Sequence, residues 1–239
     1  MQEVNRKEWI ALHQNKRYRP KYPSETVVQF VFRNFERNGI TKVLDLGCGA
    51  GRHVFFLGNE NIVPYGIDFS DEGIDYTKEL LKHHGMEKYA DNMEVGSLTK
   101  LPYVDNYFDG IICYGVLYYL DISSIKLAVS EIKRVLKASG KLLIVVRSIE
   151  DYRYKKNNEI EGEKNTIIIS EENEQKCAHS ENGMLMHFFE QGELKKLFED
   201  FKNVNIDYIK ETHDNQQFWD YNYIPVSYTH LRAHETRGN

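Results

Sequence analysis

The stretch VLDLGCGAGRH, Val43 to His53, decides the fold, because it combines a buried strand, a glycine turn and a helix start. Val43, Leu44 and Leu46 form a short apolar run that is typical of a central parallel strand buried on both faces. The glycines end this run, since residues without a Cβ adopt positive φ and let a ligand lie against the backbone. The sequence therefore predicts a ligand site where a strand meets a helix.

The residues of this junction are expected to contact the ligand in different ways. The helix should begin near Gly51 or Arg52, and its unpaired N–H groups favour a negatively charged group. Asp45 ends the strand, where a carboxylate can face an ammonium group. Cys48 is interpreted as a small packing residue of the turn. The predicted ligand contacts here are Asp45, Gly47, Cys48, Gly49, Gly51 and Arg52.

The glycine spacing is GxGxG and not the GxGxxG that fits a pyrophosphate, which makes dinucleotide binding the weaker interpretation. A second strand, VPYGID, ends in Asp68, where such folds hydrogen-bond a ribose diol. One carboxylate at each of two neighbouring strand ends suits a ligand with both an amino-acid head and a nucleoside.

From about residue 22 to residue 223 the chain resembles the class I S-adenosylmethionine-dependent methyltransferases. The glycine turn matches their first motif, FDGIICY at 108–114 resembles their fourth strand, and RVLKASGKLLIVV at 134–146 resembles their RVLKPGG pattern with its following strand. The resemblance implies S-adenosyl-L-methionine as cofactor. It also implies an α/β, doubly wound, Rossmann-like sheet of seven mostly parallel strands with an antiparallel last strand.

The resemblance extends the predicted cofactor site beyond the glycine turn. An N-terminal segment folds over the cofactor in this family, and Tyr18 or Tyr22 would reach it. The family often carries an acidic residue for the adenine amino group where this chain has Ser97 and Leu98, so the hydroxyl and backbone would take over that contact. The remaining predicted cofactor contacts are Phe69, Tyr114 and Gly115.

Composition restricts the other classes of function. The chain has 239 residues, of which 41% are hydrophobic, enough for one α/β domain. A net charge of -5 and a pI near 6.0 disfavour nucleic acid and anionic membranes as partners. Three cysteines without CxxC spacing indicate neither a zinc site nor a disulfide framework, so no metal is expected. No signal peptide or membrane-length apolar run is recognisable, so we expect a cytoplasmic protein.

Three segments are predicted along the chain, and the second contains an insertion. Residues 1–40 form an N-terminal helical lid, and residues 41–225 form the methyltransferase domain, with a polar substrate-side insertion at 148–187. Residues 226–239 are interpreted as a non-native tail, because VSYTHLRAHET resembles the translation of a sequencing-library adapter. The natural sequence would then be lost beyond about Ile224, and the last strand would be truncated.

Methyl transfer from a sulfonium depends mainly on alignment, and a base is needed only for a poorly acidic nucleophile. Several residues could supply one, and the candidates are His53, Tyr118, Tyr119 and His187. Substrate contacts are predicted at Tyr18, Arg147, Tyr152 and Tyr154. We therefore expect transfer to an O or N atom of a small polar molecule such as a sugar or metabolite.

Three other classes of function remain as alternatives. A non-catalytic cofactor-binding or regulatory module is disfavoured by the intact Asp45 and Asp68. An RNA methyltransferase is disfavoured because the chain has no basic domain and no NPPY-like sequence after its fourth strand. A nicotinamide oxidoreductase is disfavoured by the glycine spacing. The acceptor atom and the oligomeric state stay open.

The glycine spacing with Asp45 and Asp68 predicts that S-adenosylhomocysteine binds and NAD does not. Isothermal titration calorimetry with each ligand measures this, and we expect a micromolar-range dissociation constant for S-adenosylhomocysteine only. Saturable NAD binding without heat from S-adenosylhomocysteine would reject the methyltransferase interpretation.

Overall fold

A seven-stranded sheet forms the centre of the computed structural model, which describes Asn5 and residues 19–227. The strands of this sheet are β1 (Lys42–Leu46), β2 (Val63–Asp68), β3 (Met93–Val95), β4 (Phe108–Tyr114), β5 (Leu136–Arg147), β9 (Val204–His213) and β10 (Phe218–Ser227). The α-helices of the described residues that flank it are α1 (Glu25–Asn34), α2 (Arg52–Asn59), α3 (Asp71–His83), α4 (Ile122–Val135), α5 (Tyr152–Lys156) and α6 (Gln191–Leu197).

The order of the strands is β3-β2-β1-β4-β5-β10-β9. All pairs from β3 to β5 are parallel, whereas β10 is antiparallel to both β5 and β9. The chain leaves β1 in one direction towards β2 and later returns to its other side as β4. This reversal opens a crevice at the carboxyl ends of the strands, where doubly wound sheets bind ligands. The predicted fold class is confirmed.

The first strand is apolar at successive positions because helices cover both sheet faces. Leu44 and Leu46 belong to a buried cluster that includes Ile132 of α4. Val43 points to the opposite face and belongs to a cluster with Val31 of α1 and other residues. Side chains alternate along a strand, so Asp45 shares its face with Val43 and lies on the side of α1 and α2.

Side-chain caps fix where two of the helices begin. The Ser70 hydroxyl accepts the Gly73 amide at 3.0 Å, and the Asp121 carboxylate accepts the Ser124 amide at 2.9 Å. Each cap satisfies a backbone donor that has no partner within its helix.

Strand β5 follows α4 without an intervening loop, since it begins at Leu136, directly after the helix. The register against β4 shifts between Leu136 and Lys141, so the intervening residues bulge out of the pairing. The predicted fifth strand, KLLIVV, agrees with the part that pairs in register.

The last strand extends further than predicted. β10 continues through Val226 and Ser227, which pair with Leu143 and Leu142 of β5 and are both buried. The first two residues of the predicted tail are thus part of the sheet and are paired on both sides. That the natural sequence is lost beyond about Ile224 stays a prediction. Residues 228–239 of the predicted tail lie outside the described residues.

The predicted insertion has structure of its own. It contains α5 and a three-stranded antiparallel sheet of β6 (Glu159–Ile160), β7 (Glu163–Ile168) and β8 (Leu185–His187). Short 3₁₀ helices occur at Glu87–Asn92, Leu117–Tyr119 and Cys177–Glu181. Within the described residues, none of the helices has the length and hydrophobicity that crossing a membrane requires.

Two truncated proteins test the role of the last two residues of β10. A chain ending at Ser227 should be more stable than one ending at Pro225 by about 2 to 4 kcal/mol. The reason is that Val226 burial and the pairing of both residues are lost together. Urea unfolding measures the difference. Equal midpoints would show that the strand functionally ends at Pro225.

Candidate active site

The glycine turn between β1 and α2 requires glycine for two separate reasons. Gly47, Gly49 and Gly51 have φ values of 70°, 51° and 79°, which L side chains rarely adopt. A Cβ on Gly47 would lie 2.4 Å from Val116 Cγ2, and one on Gly51 would lie 2.6 Å from Thr77. The turn is therefore closed against both the end of β4 and helix α3.

Backbone hydrogen bonds hold this turn against β2. The amides of Gly47 and Cys48 donate to the Ile67 carbonyl at 2.8 Å and 3.1 Å. The Thr77 hydroxyl donates to the Gly49 carbonyl at 3.0 Å. Hydrogen bonds within the protein thus hold the turn in place, and the amides of Gly47 and Cys48 are used in them.

Asp68 joins the turn to the next helix. Its Oδ2 accepts the Gly49 amide at 2.9 Å, and its Oδ1 accepts the Ser70 amide at 2.9 Å. The residue is only 4% exposed. Phe69, which follows it, is half-buried. Asp68, which is predicted to bind the ribose, therefore also holds in place the two loops that would surround the ribose.

Asp45 is a buried carboxylate with unfilled hydrogen-bonding capacity at the end of β1. It is 2% exposed, and within the described part of the chain its Oδ2 atom has no hydrogen-bond partner. An unsatisfied buried acceptor costs about 1 to 3 kcal/mol. A donor supplied by a ligand, such as an ammonium group, would remove this cost.

His53 lies beside Asp45 at the start of α2. Its Nδ1 atom is 3.6 Å from Asp45 Oδ1, and its Nε2 atom accepts the Ser24 amide at 3.3 Å. The Tyr114 ring packs edge-on against His53 with centroids 5.5 Å apart, and the Arg52 guanidinium lies 5.2 Å over Tyr114. The structure thus brings Arg52, His53 and Tyr114 together at the carboxyl ends of β1 and β4.

Cys48 has the packing role that the sequence indicated. It is buried, and its Sγ would be 2.9 Å from a Cβ placed on Gly66. Burial, with the nearby Asp68 and Asp45, raises the pKa of its thiol. The thiol therefore stays protonated and unreactive.

Ser97 and Leu98 follow β3, and the preceding Gly96 amide donates to the Asp68 carbonyl at 2.8 Å. The Ser97 hydroxyl shares a 2.8 Å hydrogen bond with Thr99 and accepts the Thr99 amide at 3.2 Å, while Leu98 is buried. The serine thus stabilises the turn beside the predicted adenine position.

Tyr118 and Tyr119 follow the end of β4 and pack against the buried side chains of Arg147 and Glu181. The Arg147 guanidinium lies 5.1 Å over the Tyr118 ring, and the Tyr119 hydroxyl donates to Glu181 at 2.9 Å. A Cβ on Gly115 would lie 3.2 Å from the Tyr118 hydroxyl oxygen. Burial raises the pKa of both phenols. Both therefore remain protonated and can donate hydrogen bonds.

Ion pairs connect this cluster to the insertion. Arg147 lies 3.3 Å from Asp151 and 3.4 Å from Glu181. Arg153, which is 2% exposed, donates to Glu181 at 2.6 Å and to Asp220 of β10. Burial opposes the ionisation of Glu181, but Arg147 and Arg153 outweigh it and lower the pKa of this carboxyl.

Sequence reasoning missed the acidic half of this cluster. Asp151, Glu181 and Asp220 lie in segments without periodicity, and Asp220 is distant from the other two along the chain. The polar composition of the insertion was the sequence feature that pointed to charged side chains in this region, but it did not show which of them are buried.

The other sequence candidates have structural partners. The Tyr152 hydroxyl accepts the Ala178 amide at 3.3 Å, and the Tyr154 hydroxyl bonds Asn165 at 3.1 Å. Burial is the main reason that the pKa of each phenol is raised to about 12. His187 has both ring nitrogens engaged, by Thr166 at 2.9 Å and by Glu193 at 3.0 Å.

The predicted contacts from the N-terminal segment are not brought to the site by the described residues. Tyr22 is 81% exposed, and Tyr18 lies outside the described residues. The Asn5 side chain, by contrast, is buried. Its amide group bonds the Tyr119 carbonyl at 2.8 Å and the Leu185 amide at 2.8 Å. The start of the chain thus contacts the substrate side through Asn5.

One group of metal-ligating residue types occurs on the β9–β10 hairpin. Ligand atoms of Glu211, His213 and Asp220 lie within 4.8 Å of one another. Asp220 already accepts hydrogen bonds from Arg153 and from His213 Nε2, the latter at 3.1 Å. The arginine balances the charge that a cation would need, so this group is better explained as part of the buried ion-pair cluster.

The two hydrogen bonds of Asp68 make it a stability determinant even without ligand. Asp68→Ala should lower the unfolding free energy by about 2 to 4 kcal/mol, because two backbone donors lose a charged acceptor. Asp71→Ala, at an exposed position in the first turn of α3, should cost less than about 1 kcal/mol. Urea unfolding of the ligand-free proteins measures both. Equal effects would show that the Asp68 hydrogen bonds are weak.

Comparison with known proteins gives consistent results. A sequence profile described as a methyltransferase domain matches residues 38–209. An uncharacterized methyltransferase of Bacillus subtilis is 30% identical over 104 residues, which cover 44% of this chain and 40% of that protein. The chain spans less than half the length of the curated relatives first matched.

Solved structures extend the comparison to most of the chain. A protein from Pyrococcus horikoshii superposes with a TM-score of 0.62 at 22% identity, covering 89% of this chain and 96% of that one. The 1,6-didemethyltoxoflavin-N1-methyltransferase of Burkholderia thailandensis, bound to 1,6-didemethyltoxoflavin and S-adenosylhomocysteine, gives a TM-score of 0.64 at 14% identity. That match covers 95% of this chain and 88% of the enzyme.

The structural comparison and the sequence profile support different conclusions, one about the fold and the other about the family. The structural likeness concerns the fold, whereas the sequence profile covers most of the chain and includes the glycine turn and both carboxylates. The sheet of seven mostly parallel strands, with the last strand β10 antiparallel, is the one that the sequence resemblance implied. The chain belongs to the methyltransferase domain family, and it shares its fold with a methyltransferase solved with bound S-adenosylhomocysteine.

Proposed function

We propose that the protein transfers a methyl group from S-adenosylmethionine to an O or N atom of a small polar molecule in the cytoplasm. The observation that carries the proposal is the buried Oδ2 of Asp45, which lacks a hydrogen-bond partner among the described residues and lies beside a prebuilt glycine turn. A buried carboxylate oxygen of this kind fits the ammonium group of an amino-acid head.

The residues of the site fit the remaining parts of the cofactor. The sulfonium of bound S-adenosylmethionine supplies an activated methyl group. Helix α2 begins after Gly51, which has no capping side chain, so its first amides suit the cofactor carboxylate. Asp68 ends the neighbouring strand as a charged acceptor beside the expected ribose position. These residues bind and orient the donor, and orientation is the larger part of catalysis in this reaction.

The substrate side supports a small polar acceptor. The Tyr118 hydroxyl lies next to Gly115 at the end of β4, and Arg147 covers its ring. The insertion is tied to the sheet beside these residues by two ion pairs, Glu181 with Arg147 of β5 and Arg153 with Asp220 of β10. Such a polar surrounding suits a molecule that hydrogen bonds can orient, in keeping with the proposed roles of Arg147 and residues 148–187.

The hydrogen bonds of the candidate histidines and the raised pKa values of the candidate tyrosines favour particular acceptors. His53 Nε2 accepts the Ser24 amide, and both ring nitrogens of His187 are in hydrogen bonds. Burial raises the pKa of Tyr118 and Tyr119. None of these four suits the removal of a proton from a weakly acidic alcohol. An amine, a ring nitrogen or an acidic hydroxyl needs no such base, and the Burkholderia thailandensis enzyme named above is an N1-methyltransferase.

Label transfer tests this function. The protein is incubated with methyl-labelled S-adenosylmethionine and with fractionated polar metabolites, and in parallel with total RNA. We expect label in a low-molecular-weight fraction only, and at least a roughly tenfold lower rate with Asp45→Asn, because the ammonium loses a charged acceptor. Label in RNA, or equal rates for both proteins, would contradict the proposal.

A further inference from the structure

The hydrogen bonds of His53 define where its proton lies. The Ser24 backbone amide donates to Nε2 at 3.3 Å, and an amide N–H can only donate. The Nε2 atom therefore carries no proton, which leaves a neutral ring protonated at Nδ1. This nitrogen faces the Asp45 Oδ1 atom at 3.6 Å.

The contact with Asp45 is longer than a hydrogen bond, but it is formed in a buried environment. The two side chains are 4% and 2% exposed, so water screens the attraction between the N–H dipole and the carboxylate very little. The attraction favours the carboxylate rotation in which Oδ1 faces His53. The other oxygen, Oδ2, is the one without a partner within the described ranges.

We propose that His53 is a positioning residue: it orients the Asp45 carboxylate towards the cofactor ammonium and couples this orientation to the start of α1 through the Ser24 amide. The inference rests on the proposed function. It assigns no proton transfer to His53, since the ring is 3% exposed and both nitrogens face protein groups. The same logic applies to ligand histidines at metal sites, where the second nitrogen is fixed by an outer partner.

The chain offers variants that separate the two contacts of His53. Asn at position 53 places an amide N–H near the Nδ1 position, whereas Gln places an acceptor near Nε2 and has no donor at Nδ1. Ser24→Pro removes only the backbone donor, because Ser24 has φ -66° and ψ 140°, which proline adopts, and its side chain makes no cap. Ser24→Ala is the matched control.

The experiment compares two ligands by calorimetry: S-adenosylhomocysteine, and 5′-methylthioadenosine, which has the nucleoside and sulfur but no amino-acid head. We expect His53→Gln and Ser24→Pro to weaken S-adenosylhomocysteine binding by about tenfold and about threefold, respectively, as for the loss of one modest polar contact. Methylthioadenosine binding should change less than about twofold in every variant. His53→Asn keeps a donor near Nδ1 but loses the Nε2 acceptor, so it should weaken binding by about threefold, as Ser24→Pro does. Ser24→Ala should resemble the wild type, and so should His84→Asn at an exposed position.

Several outcomes would overturn the inference. Equal weakening of both ligands by His53→Gln would show that the histidine only supports the fold, and a loss with His53→Asn as large as that with His53→Gln would show that the Nδ1 donor is irrelevant. If His53→Gln does not fold, Ser24→Pro decides by the same ratio of the two affinities. Wild-type protein that binds neither ligand would reject the proposed function together with the inference, whereas normal wild-type binding without ligand discrimination rejects the inference alone.

Discussion

The hydrogen bond from the Gly49 amide to the Asp68 carboxylate is the constraint on which the cofactor side depends. It fixes the middle of a turn whose glycines have positive φ, and the same carboxylate fixes the start of α3 through Ser70. A turn with this backbone has a high entropic cost, because glycine is the most flexible residue in the unfolded chain. The buried, charge-assisted bond offsets part of that cost. The free-energy cost of ordering this surface on ligand binding is therefore small.

The carboxylates of Asp45 and Asp68, at the ends of β1 and β2, have different hydrogen-bond environments, which the sequence did not indicate. Both were interpreted as ligand groups, but the protein occupies both oxygens of Asp68 with backbone donors, whereas Asp45 keeps Oδ2 without a partner in the described structure. Loss of ligand binding on mutation of Asp68 would therefore combine a contact effect with a turn effect. Asp45 is the cleaner reporter of the cofactor head.

Local pattern explains why the fold was predictable and part of the site was not. The Val43–His53 stretch contains its strand, turn and helix start within a few residues, so its interactions are short in sequence and visible as a motif. The bulge at Lys137–Gly140 depends on register against β4, and the end of β10 depends on β5 and β9, which no local pattern encodes. The burial of Arg153 likewise results from partners in three different segments.

The buried ion pairs connect the insertion to strands β5 and β10 of the sheet. Arg147 ends β5 and Asp220 lies on β10, while Asp151, Arg153 and Glu181 belong to the insertion and its borders. Removing one partner of a buried pair leaves a charge uncompensated, so the members are strongly coupled. Tyr118 and Tyr119 pack against this cluster, and their protonation follows from its burial. The proposed substrate side is thus held by coupled ion pairs and presents protonated phenols. For the proposed function, hydrogen bonding to this surface orients the acceptor, and the reactivity comes from the acceptor and the sulfonium.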